Sequence, residues 1–340
     1  MGHYEELEDT LRNKPKVWLV TGAAGFIGSH LVERLLNLGQ QVRGLDNLVT
    51  GRQSNIDYLN SLENSKNFNF IKADICNLAS CEEAIDGVNV VLHQAALGSV
   101  PRSIKEPLAS HASNVDGFLN VLKTATAKKV ERLVYASSSS VYGDSEGLPK
   151  KEGGEGKVLS PYAATKLIDE IYADVFKRVY NTPVVGLRYF NVFGARQDPN
   201  GPYAAVIPLW ISSMLSGKPV YINGDGSYSR DFCYIENVIR ANLLAGTCED
   251  RALGKAYNIA LGDQTTLLQL FDYIRSGLSE VLPDLEVADA EHREFRDGDI
   301  PHSLADVSQA KGFLHYEPKV TIKDGLLETL KAYLEDEEKA

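Results

Sequence analysis

The chain is predicted to be an α/β protein, a doubly wound parallel sheet followed by a smaller C-terminal α/β lobe. Short apolar runs recur along its first half and alternate with segments of helical period. The first run ends in spaced glycines, as a strand does when it turns sharply into a helix. With 340 residues, 44% of them hydrophobic, the chain can bury the core such a sheet needs.

Residues 3–12 place Tyr4, Leu7 and Leu11 at helical spacing, so a short amphipathic helix precedes the main fold. Val17 to Thr21 is a continuous apolar run, expected of a strand covered on both faces. The next helix carries Leu31, Leu35, Leu36 and Leu38 and stops at Gly39. Gln41 to Asp46 reads as the second strand, and further strands are expected at Asn69 to Ala73, Val88 to His93, Arg132 to Ala136 and Val184 to Tyr189. After Asn191, turn residues such as Pro199, Gly217, Pro219 and Gly224 multiply, and the second lobe begins. The expected division is therefore 1–190 and 191–340. It is interleaved: Arg230 to Ile235 and Ala256 to Ala260 again read as buried strands, so 230–260 is expected to return to the main sheet.

Composition excludes several classes. A net charge of −11 argues against general nucleic-acid binding, which rests on neutralising many phosphates. No apolar run is long enough to span a bilayer, and the first 14 residues carry four acids where an export signal would be basic and then apolar. Cys76, Cys81, Cys233 and Cys248 have no metal-ligand spacing. No metal is expected, and reduced thiols fit a cytoplasmic protein.

Gly22, Gly25 and Gly28 follow a strand and open a helix, the setting of a dinucleotide site. The first allows the tight turn, the second lets a pyrophosphate approach, and the third lets helix pack on strand. Asp46 stands 18 positions after Gly28 at the end of the second strand, where a carboxylate accepts hydrogen bonds from a ribose diol and repels a 2'-phosphate. NAD is favoured over NADP, although Arg52 is close enough in sequence to meet such a phosphate. Asp74, ending the third strand, fits either an adenine contact or a turn. Gln94-Ala95-Ala96 ends the fourth strand in small residues that leave room for a cofactor.

Tyr162 and Lys166, four residues apart, project from one face of a helix. A tyrosine ionises near pH 10, so half-ionising it at pH 7 takes about 3 units, or ~4 kcal/mol, from nearby positive charge. Lys166 and a bound cationic ring could supply that. The spacing alone is common; its company gives it weight.

The glycine array, Asp46, Gln94-Ala-Ala96, the serine run Ser137 to Ser140 before Tyr142-Gly143, and the Tyr162/Lys166 pair together resemble the extended short-chain dehydrogenase/reductase family, whose sheet is the Rossmann type. The resemblance covers nearly all of the chain after residue 15. Leu187 to Gly194 and Arg230 to Ile235 look like the UDP-hexose 4-epimerases within it. The resemblance implies Tyr162 as acid/base, Lys166 as its electrostatic partner and nicotinamide-ribose ligand, and Ser138 as the hydroxyl that orients the sugar. It implies NAD held by the glycine turn with Phe26 and Ile27, and by Asp46, Asn47, Gly51, Asp74 and Ile75. Gln94, Ala95, Ala96, Asn114, Tyr189 and Val192 complete that set. Ser139 and Ser140 stand where related 4,6-dehydratases carry an acid pair, so dehydration is disfavoured.

For the nucleotide sugar, the resemblance implies Gly98, Ser99 and Ser138 to Ser140 at the sugar. Asn191 is implied near the pyrophosphate, Ala205 and Val206 near the uracil, and Tyr221, Asn223 and Arg230 further along the nucleotide. Arg296 and Asp299 match a family motif that grips phosphate and ribose. On residues alone, Arg296 is equally a surface charge in an acidic stretch. Ser303 stands where epimerases restricted to plain hexoses look to have a tyrosine, and a serine leaves room for an N-acetyl group.

The implied activity is NAD-dependent interconversion of UDP-N-acetylglucosamine and UDP-N-acetylgalactosamine through a transient 4-keto sugar, with UDP-glucose as a poorer or parallel substrate. Gly98 to Ser103 and Tyr203 to Trp210 further resemble the UDP-N-acetylglucosamine 4-epimerases of surface-polysaccharide pathways. The alternatives are a UDP-uronic acid epimerase or decarboxylase on the same scaffold and, ranked well below because Tyr162 and Lys166 are both present, a silent NAD-sensing module. By analogy with relatives, a homodimer is expected through helices around Asn114 to Thr126 and Tyr162 to Val179.

Overall fold

The computed structural model describes residues 2–199, 204–295 and 300–338. At its centre lie seven parallel strands: β1 Val17–Thr21, β2 Gln41–Asp46, β3 Phe68–Lys72, β4 Val90–His93, β5 Arg132–Ser138, β6 Val184–Tyr189 and β7 Ala256–Ile259. They run in the order β7-β6-β5-β4-β1-β2-β3. β1, β2 and β6 keep the bounds read from the sequence, and the other strand ends differ by one or two residues. The order reverses between β1 and β4, which opens a crevice at the carboxyl ends of those strands.

Alternation along the strands divides the core between two faces. One face gathers Trp18, Val20, Val42, Leu92, Val134 and Leu187 under α1 His3–Asn13, α2 Phe26–Asn37 and α7 Ile235–Gly246. The other gathers Leu19, Leu45, Val91, Leu133 and Tyr135 under α4 Leu78–Ile85, α5 Gly117–Ala127 and α6 Pro161–Tyr180. Between β2 and β3 runs α3 Gln53–Ser61. The first helix is tied down by Arg34, which bonds Tyr4 at 3.1 Å and Glu8 at 2.9 Å while reaching Glu236 at 2.6 Å.

A separate apolar cluster of Trp210, Ile222, Phe271, Ile274 and Leu330 holds the smaller lobe together. Its helices are Val206–Leu215, Leu267–Val281 and Ile322–Glu338, beside a parallel pair of Tyr221–Asn223 and Glu291–Arg293. Arg230 to Ile235 departs from the expected strand of the main sheet. It splits into Ser229–Arg230, antiparallel to Thr265–Thr266, and Cys233–Tyr234, parallel to Val192–Phe193. Asp231 accounts for the break. Its buried carboxylate accepts from the amides of Leu261, Gly262 and Ala305, so the chain turns around a side chain.

No helix among the described residues is long and apolar enough to cross a membrane. The four cysteines are free thiols.

Candidate active site

The crevice is an open cleft of about 410 Å³, and residues from the carboxyl ends of β1, β4, β5 and β6 meet in it. Its wall brings together Gly22, Gly25, Phe26, Ile27, Gly28, Gln94, Ala96, Gly98, Ser138, Tyr162, Lys166, Tyr189, Asn191 and Val192. A continuation towards β2 is lined by Asp46, Asn47, Ile75 and Ala95.

Backbone contact explains the glycines. Gly22 has φ +71°, and a Cβ there would lie 2.8 Å from the Ala95 nitrogen across the β1/β4 gap. A Cβ on Gly28 would lie 2.0 Å from the Gly22 carbonyl oxygen, so the first turn of α2 seats directly on the loop. No side chain caps the start of α2 at Gly25, which leaves its amides for a ligand.

Asp46 is buried, yet each oxygen accepts one amide: Oδ2 from Ala24 at 3.0 Å and Oδ1 from Leu48 at 2.8 Å. Burial pushes its carboxyl up, and those two amides pull it back. Each oxygen keeps a lone pair for a diol. A Cβ on Gly51 would lie 2.7 Å from Asp46 Oδ1, so that glycine preserves access to the acid. The cradle, the uncapped helix start and the acid fit a dinucleotide.

Asp74 takes the turn role. Its Oδ1 accepts from the Cys76 amide at 2.8 Å and its Oδ2 from Asn47 at 2.9 Å, orienting Asn47 rather than lining the recess. Asn114 likewise does not line the crevice or its continuation. It is buried, donates to Leu97 O and Thr165 Oγ1, and accepts from the Leu97 amide, so it braces the wall from behind.

Ser160 caps α6 and Pro161 follows, so Tyr162 is fixed in the first turn. Its amide donates to Ser103 Oγ at 3.0 Å. One turn on, Lys166 is 2% exposed and donates to Ala136 O at 2.9 Å and Asp169 Oδ2 at 3.3 Å. Ser138 ends β5, and its Oγ accepts from the Ser140 amide at 3.2 Å, which starts the turn Ser139–Tyr142. Ser139 and Ser140 lie half-buried in that turn and do not line the crevice.

Ser137, absent from the expected site, lines the wall and donates to Glu170 at 2.6 Å. At the floor, the Tyr189 hydroxyl lies 3.1 Å from Gln94 Oε1 and 2.9 Å from Asn242 Nδ2. Burial raises that hydroxyl's pKa, so it stays a neutral phenol. Asn242, buried behind Tyr189 and Gln94, was not legible as a support of the crevice floor. The available signal was an amide inside the apolar run Ala241 to Ala245 of α7.

The remaining expected substrate residues are dispersed. Asn191, at φ +31°, lines the crevice and donates to Asp231 O at 3.2 Å. Ser99, at φ +91°, caps the short helix Val100–Lys105, and Ala205 caps the helix that Val206 begins. Tyr221 and Asn223 sit in the lobe's strand pair, with the Arg293 guanidinium 3.1 Å above the Tyr221 ring. Arg230 donates to Ser229 O at 2.9 Å and Pro301 O at 3.1 Å, and Ser303 donates its amide to the same Ser229 carbonyl. Arg230 and Ser303 are thereby neighbours. Arg296, Asp299 and Tyr203 lie outside the described residues.

The sequence pattern of the NAD dependent epimerase/dehydratase family matches residues 18–260. A UDP-glucose 4-epimerase of Mycolicibacterium smegmatis is 35% identical over 322 residues, covering 93% of this chain and 97% of its own. The solved structure of a UDP-N-acetylglucosamine 4-epimerase from Methanobrevibacter ruminantium, in complex with UDP-N-acetylmuramic acid, is 38% identical. It superposes with a TM-score of 0.86 over 95% of this chain and 99% of that one. A UDP-glucuronic acid 4-epimerase from Bacillus cereus, in complex with UDP-glucuronic acid and NAD, is 32% identical with a TM-score of 0.82, covering 94% of this chain and 99% of that one.

Proposed function

The chain belongs to the NAD-dependent epimerase/dehydratase family, and from that membership and the crevice we propose a UDP-sugar 4-epimerase that acts foremost on UDP-N-acetylglucosamine and UDP-N-acetylgalactosamine. UDP-glucose and UDP-galactose are lesser substrates. The observation that carries this is one wall shared by Tyr162, Lys166, Ser138 and the glycine cradle.

NAD, when bound against the glycines and Asp46, supplies a reversible hydride acceptor. Tyr162 takes the O4 proton as C4 is oxidised to a ketone, and returns it when C4 is reduced on its other face. Lys166, fixed by Ala136 and Asp169, holds positive charge one turn from that phenol. Ser138 Oγ offers a hydrogen bond to the sugar hydroxyl. Ser139 and Ser140 supply no acid or base for eliminating water, so the ketone persists until it is reduced.

Ser303 supports the acetylated substrate: it is small, half-buried and adjacent to Arg230. The resemblance to the Methanobrevibacter protein supports the same choice. The UDP-uronic acid alternative draws on the Bacillus cereus relative. Among the described residues, however, the crevice wall carries no arginine for a sugar carboxylate, and its one lysine is already held. Incubation with each UDP-sugar, followed through the anomeric NMR signals, separates the readings. Conversion of UDP-N-acetylglucosamine supports the first; turnover of UDP-glucuronic acid alone, with or without loss of a carbon, refutes it.

We also propose a homodimer. Ile171, Val175 and Val179, four residues apart on α6, make an exposed apolar stripe, and Ile104 and Leu108 are exposed on the short helices Val100–Lys105 and Pro107–His111. Sedimentation should give twice the chain mass; monomer alone would dismiss the pairing.

A further inference from the structure

Behind the crevice lies a closed polar cell whose hydrogen-bonding capacity is only partly used. Asp169 is 1% exposed; Oδ2 meets Lys166, and Oδ1 has no partner. Also beside Lys166, on β4, His93 Nδ1 lies 2.8 Å from Thr21 Oγ1, which accepts the Ala95 amide. His93 Nδ1 and the Thr21 hydroxyl share one hydrogen bond, and Nε2 is buried without a partner. Burial, with the Lys166 charge beside it, pushes the ring's pKa down to about 3, so His93 stays neutral. Glu170 is taken by Arg188 and Ser137. Among the described residues, Asp169 is the ion-pair partner of Lys166.

We propose that Asp169 is a positioning residue that holds the Lys166 ammonium against the Ala136 carbonyl and, by its own charge, tempers the field that Lys166 exerts on the Tyr162 phenol. The inference rests on Tyr162 being the acid/base. The charged and titratable groups around Asp169 are Lys166 and Glu170 on α6 and Tyr135 on β5, with Arg188 near Tyr135 on β6 and His93 on β4 beside Lys166. Burial raises the Asp169 carboxyl to about 7 against the pull of Lys166. Its charge is therefore present above neutral pH and fades below it. As it fades, Lys166 acts on Tyr162 unopposed, and the two anionic sites titrate as a coupled pair with a broadened curve.

The test uses NAD-loaded protein. Tyrosinate ultraviolet absorbance is followed against pH as the difference from the Tyr162→Phe variant, beside the pH profile of epimerisation. Asp169→Asn should fold, narrow the curve to a single proton and lower its midpoint by about one unit, a tenfold change in tyrosinate fraction. Asp169→Glu should restore the broad curve. An Asp169→Asn curve and profile that overlay the native ones overturn the proposal while leaving the acid/base role of Tyr162 intact. Full turnover by Tyr162→Phe overturns that role, and this inference with it.

Discussion

Arg188 on β6 and Glu170 on α6 meet in a two-pronged ion pair, 2.8 Å from Nε to Oε1 and 2.7 Å from the second nitrogen to Oε2. The same Glu170 oxygen takes the Ser137 hydroxyl, and Arg188 also donates to Tyr142 at 3.0 Å. Glu170 thus ties both β6, through Arg188, and the strand that carries Ser138, through Ser137, to the helix that carries Tyr162. Both partners of the ion pair are largely buried. Arg188 keeps a second carboxylate, Glu155, so removing Glu170 leaves the buried guanidinium half compensated and two of its N–H donors without their acceptors. Glu170→Ala is expected to cost about 3 kcal/mol in denaturant unfolding and to slow turnover more than it weakens substrate binding.

Ser303 gives a selective prediction. Its amide shares the Ser229 carbonyl with Arg230, so its place is fixed by backbone and its side chain is free to vary. Ser303→Tyr should lose turnover of acetylated UDP-sugars by about a hundredfold while keeping UDP-glucose. The ratio of kcat/KM values measures this, and an unchanged ratio would refute the role in selectivity.

His93 gives a prediction about pH. Its folded pKa is about 3 and the unfolded value about 6.5, so between those values the unfolded chain binds the extra proton. The contribution is therefore fully present above about 6.5 and is lost as pH falls towards 3, at ~1.4 kcal/mol per pH unit. His93→Asn should remove that slope from the pH dependence of unfolding, whatever it does to absolute stability. An unchanged slope would mean that the ring is not held neutral.

The sheet was legible because each strand is a local apolar run and each crossover a local helical period. The helix that carries Tyr162 and Lys166 was legible for the same reason, since the two are one turn apart. What escaped depends on partners distant in sequence. Asn242 supports the floor only because Tyr189 and Gln94 reach it, and Asn114 is a brace only because Leu97 and Thr165 fold onto it. Ser103 matters through the Tyr162 amide alone. Arg230 to Ile235 read as one strand because its composition is strand-like, but the Asp231 carboxylate turned it into two.

The central claim is that Tyr162 moves the O4 proton in a reaction with no net redox change. The direct measurement is conversion of UDP-N-acetylglucosamine by the native protein and by Tyr162→Phe, each checked for bound NAD. The native protein should approach one mixture of the two epimers from either side. Tyr162→Phe should retain NAD and turn over at least a hundredfold more slowly, by about the share that general acid/base catalysis supplies. Full activity in that variant would contradict the account.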